Sequence, residues 1–157
     1  PESREALRTL TGLLVSTNRV EEAQPYLQKI LAAEGAGVGD GFLQLNRLLA
    51  NNPDKNANLK LIQNLAQQHQ RLPQARFAVA QAAATAGDND LALKEIREAV
   101  KLKPDWEVAA LFEAQLLQQQ SNERAAAYLA DYVKRYPQAR DARLAYARAL
   151  VGERKYE

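Results

Sequence analysis

Residues able to carry out acid–base or metal chemistry are scarce in this chain. His69 is the only histidine and there is no cysteine. An imidazole-centred metal site, a Ser-His triad and thiolate chemistry therefore all lack material. His69 sits late on a polar helical pattern and reads as a solvated surface residue. The glycines from Gly35 to Gly41 follow a helix rather than a strand and carry no Gly-Lys-Ser/Thr. They do not form a phosphate loop and read as a hinge. The 19 acidic residues alternate with 21 basic ones at helical spacing, as on a solvated face. A carboxylate pair for hydrolysis is the catalytic arrangement left open. No catalytic, cofactor-binding or metal-ligating residue is assigned.

Charge and aromatic content narrow the partners. A net charge of +2 is too small for a nucleic-acid footprint, although the pI is about 9.0. Arg140, Arg143, Arg148, Arg154 and Lys155 make the C-terminal piece basic, but Asp141, Glu153 and Glu157 dilute it and few aromatics interleave. No nucleic-acid partner is expected. Trp106 reads as a packing wedge in preference to an exposed hot spot. No apolar run approaches the ~18 residues of a membrane span.

The elements that must position any site are helices. With 46% hydrophobic and 25% charged residues, the composition is that of a globular protein. Ala, Leu and Gln dominate and favour helix. Leu7, Leu10, Leu14 and Val15 mark a first helix. Asn18 to Glu21 has the form of a capping box opening a second, in which Pro25 predicts a kink or a later start. Phe42, Leu45, Leu48 and Leu49 mark a third, stopped by Asn51-Asn52-Pro53, and a fourth runs from about Asp54 to Gln70. Asp105 is placed to cap a helix bearing Ala110, Ala114 and Leu117, and Ser121 or Asn122 to cap the next. A last helix opens at Gln138 and carries Leu144, Ala147 and Leu150.

One stretch goes beyond helical periodicity. PQARFAVAQAAATAGDNDLALKEIREAVKLKP, residues 73–104, places Ala80 and Ala83 before a Gly87-Asp88 turn. Ala92, Ile96, Ala99 and Leu102 follow the turn, and Pro104 closes the unit. Residues 105–137 repeat the order with a turn one residue shorter. This pattern resembles a tetratricopeptide repeat (TPR), the helix-turn-helix unit of about 34 residues. The resemblance implies an all-α fold, a right-handed α-α superhelix of about nine helices in antiparallel hairpins. The hairpins are expected over residues 2–34, 39–71, 73–104 and 105–137, with an unpaired start of another at 138–157.

In TPR arrays the first helices line a concave groove that holds peptides or partner proteins. Carried over by register, one row is Leu43, Phe77, Leu111 and Leu144, with Arg8 at its start. Its neighbour is Gly12, Arg47, Gln81, Gln115 and Arg148. An apolar row beside amides and guanidiniums suits a peptide; the competing reading makes the apolar row packing between adjacent first helices. Gln81 and Gln115 stand where TPR clamps for a C-terminal carboxylate would want charge, which disfavours a chaperone-tail receptor. The resemblance thus implies a non-catalytic scaffold or adaptor with a protein or peptide partner. The alternative is a substrate-docking segment of an enzyme whose catalytic domain lies elsewhere. The pattern also looks like part of a longer bacterial array, with a lean towards the cell envelope or periplasm and a dimer through the last helix as a further expectation.

Overall fold

Two turns of the same geometry show why the hairpins form. At the end of the first helix the Arg19 N–H reaches back to Leu14 O (2.7 Å) and the Asn18 N–H to Val15 O (3.1 Å). At the later turn the Asp88 N–H reaches Ala83 O (2.9 Å) and the Gly87 N–H Ala84 O (3.1 Å). Both are Schellman caps, which need a left-handed residue at the reversal. Gly87 takes φ 86° and Asn18 takes φ 59°. Asn18 therefore closes the first helix instead of opening the second, contrary to the capping-box expectation. Asparagine tolerates the left-handed region better than other non-glycine residues, which suits it to that job.

The computed structural model describes residues 3–34 and 37–154. In order these form α1 (Arg4–Ser16), α2 (Val20–Glu34), α3 (Val38–Leu48), α4 (Lys55–Ala66) and a 3-10 turn (Gln67–His69). They continue with α5 (Pro73–Thr85), α6 (Asn89–Leu102), α7 (Glu107–Gln120), α8 (Asn122–Arg135) and α9 (Arg140–Arg154). No strand occurs among the described residues. The helices group into two compact units, residues 1–95 and 96–157, the division falling within α6.

In residues 1–95 the apolar stripes of α1 to α5 meet in one core. Its most enclosed large side chains are Val15, Leu27, Phe42, Leu49 and Ile62, each at most 1% exposed. Pro25 lies within α2, which already starts at Val20. The turn after α3 is held by a buried amide pair. Asn52 Nδ2 donates to Asn58 Oδ1 (2.7 Å), and Asn58 Nδ2 donates to Leu49 O (2.9 Å). Asp54 then caps α4 by accepting from the Ala57 N–H (2.9 Å).

Two glycine and histidine expectations change here. Gly39 and Gly41 lie inside α3, so they are no hinge; Gly35 lies outside the described residues. A Cβ at Gly39 would come within 2.9 Å of Gln74 Cδ, the end of a flexible side chain on α5, so a larger residue there would displace the Gln74 amide. α4 ends at Ala66, before the expected Gln70, and the 3-10 turn carries His69 back onto the core. Its half-buried ring meets Phe42 edge-on at 5.3 Å. It is a packing residue and not a solvated one.

In residues 96–157, Ala110, Tyr132, Ala139 and Ala142 form a buried cluster, with Leu111, Tyr128, Val133 and Tyr136 packed on it. Ser121 alone makes the turn between α7 and α8, extended at φ −163°, its hydroxyl accepting from the Arg124 N–H (3.3 Å). Trp106, not Asp105, is the residue before α7, and it offers no side-chain cap. The Trp106 N–H bonds Lys103 O (3.2 Å), which leaves Asp105 in the turn, one residue early. α9 starts at Arg140 and runs through Gly152. Its first turn is capped from α7, where Glu107 Oε1 accepts from the Ala142 N–H (2.7 Å). The last residues of the expected unpaired start at 138–157, 155–157, lie outside the described residues.

Candidate functional site

The apolar stripe of α2 packs between α1 and α3 but does not fill the space in front of it. A cavity of about 420 Å³ remains, with Leu27 and Leu31 of α2 and Leu45 of α3 as its floor. Arg8 and Gly12 of α1 and Arg47 of α3 stand at its sides. Helical spacing explains the set. Residues 8 and 12 are one turn apart on α1, and 44, 47 and 48 share a face of α3. Gly12 is the narrow point of that wall: no atom outside its own helix lies within 4 Å of where its Cβ would be. The lining holds two guanidiniums and no carboxylate. Its size falls in the range of small binding pockets.

The row expected from register divides in two. Within residues 1–95, Arg47 is exposed and lines the cavity, and Leu43 is 37% exposed one turn away on α3. Phe77 is buried at 5% exposure, so at that position the side chain serves helix packing. Gln81 is half-buried and accepts through Oε1 from Asn46 Nδ2 (3.2 Å), which also donates to Ala78 O (2.9 Å). Its amide thus joins α3 to α5. Within residues 96–157, Leu111 is half-buried on the tyrosine cluster while Gln115, Leu144 and Arg148 are exposed.

Two buried carboxylates were missed by periodicity. Glu95 (8% exposed) accepts from Arg76 Nη1 at 2.9 Å, and Arg76 Nε donates to Gln70 O at 3.0 Å. Glu113 (5% exposed) accepts from Arg97 Nε at 3.2 Å. Each pair spans two helices, and such pairs fix geometry without much net stabilisation. Neither carboxylate borders the cavity. No group of three or more His, Asp or Glu among the described residues is placed to hold a metal ion.

The Tyr128 hydroxyl is buried beside the Glu113 carboxylate, and the Tyr132 hydroxyl is buried with no hydrogen-bond partner. Burial pushes the Tyr128 phenol far above its usual range, and the Glu113 carboxylate adds to the effect. A phenol held neutral in the fold but free to ionise once unfolded contributes stability that is complete below about pH 10 and is lost as pH rises further. Alkaline unfolding is therefore expected to begin above about pH 10. Tyr128→Phe should raise the pH at which it occurs, because the group that ionises on unfolding is removed. Circular dichroism across an alkaline titration of both proteins checks this; coincident curves would mean Tyr128 ionises without unfolding the chain.

No protein-family profile matches the chain, and no curated protein matches it by sequence. Solved structures do match its fold. A thermophilic TPR protein of Thermus thermophilus superposes with a TM-score of 0.61 at 19% identity, over 96% of this chain and 83% of that one. The MamA protein superposes with a TM-score of 0.55 at 12% identity, over 95% of this chain and 89% of that one. The chain is all-α and has the TPR fold. No helix among the described residues is long and apolar enough to cross a membrane.

Proposed function

We propose that this chain is a non-catalytic scaffold that binds a partner protein on the face formed by α1 and α3. The observation that carries this reading is the cavity between α1 and α3. Folding leaves a recess there, with part-exposed Ile30 and Leu48 in its lining and Arg8, Gly12 and Arg47 around it. A core helix would close that space to save buried area; leaving it open next to two cations suits recognition more than packing. The Arg76–Glu95 pair serves the fold and does not line the cavity.

The face can be tested in the native host by placing a photo-crosslinking amino acid at Gln44, which lines the cavity, and at Gln28, exposed on α2 and away from it. A discrete crosslinked protein from position 44 and none from 28 is the expected result. Equal crosslinking from both positions, or from 28 alone, would overturn the assignment.

A further inference from the structure

We draw no further inference here: the strongest candidate, the outward face of α9 where exposed Leu144 and Val151 stand beside Arg143 and Arg148, is an unpartnered helix face, and nothing in the structure shows what covers it.

Discussion

Phe42→Ala is expected to destabilise residues 1–95 by about 3–5 kcal/mol, the usual cost of emptying an aromatic site in a core. Phe42 is 0% exposed, and its ring receives the edge of His69 from the turn after α4. Removing it leaves a void between α3 and that turn. The turn after α3 is fixed by the Asn52–Asn58 pair, so the site can collapse only in part. Amide hydrogen exchange reads the loss directly, as faster exchange in α3 and α4. Trp106, the only tryptophan, lies in residues 96–157 and reports that unit separately. A loss below about 1 kcal/mol would mean the space around Phe42 closes without it.

Arg76→Met should cost nearly as much, about 2–4 kcal/mol, because it strands a buried carboxylate. The Arg76 side chain is 24% exposed and that of Glu95 10%, so little water is available to replace the lost partner. The chief check is the double variant. Arg76→Met with Glu95→Leu exchanges both charges for apolar groups and is expected to recover most of the loss, as buried pairs replaced whole commonly do. Urea unfolding of the two single variants and the double one closes the cycle. A double variant as unstable as the sum of the singles would show that Glu95 holds something besides Arg76.

The stretch over α5 and α6 was readable in the sequence because a buried helix face that packs closely carries small side chains at fixed positions. Ala80, Ala83, Ala92 and Ala99 are all 0% exposed and bear that mark. Residues 3–70 were harder, since there one residue type serves two purposes. Asparagine caps helix starts and also tolerates the left-handed turn, and at Asn18 the second use won. Glycine marks hinges but also occurs within helices, and Gly39 lies inside α3.

The site was legible in part. Arg8, Gly12 and Arg47 were reached through repeat register and do meet around one cavity. The cavity's floor was not reached, because Leu27 and Leu31 belong to a second helix whose stripe reads as ordinary core. The buried Glu95 and Glu113 gave no local signal at all. Their partners lie 19 and 16 residues away across a turn, where helical periodicity carries no information.

The bond from Glu107 to the Ala142 amide passes over a whole helix, linking α7 to the first turn of α9 across 35 residues. It constrains how far this chain can be treated as interchangeable modules. A hairpin borrowed from another array and grafted over residues 105–137 would keep its own stripe and turn, yet the start of α9 would lose its acceptor unless the donor brought an acidic residue in the first turn of its opening helix. α7 and α9 are thus matched where they meet as well as along their own stripes. Any rearrangement of the array by duplication or exchange has to cut at points that carry both halves of that bond together.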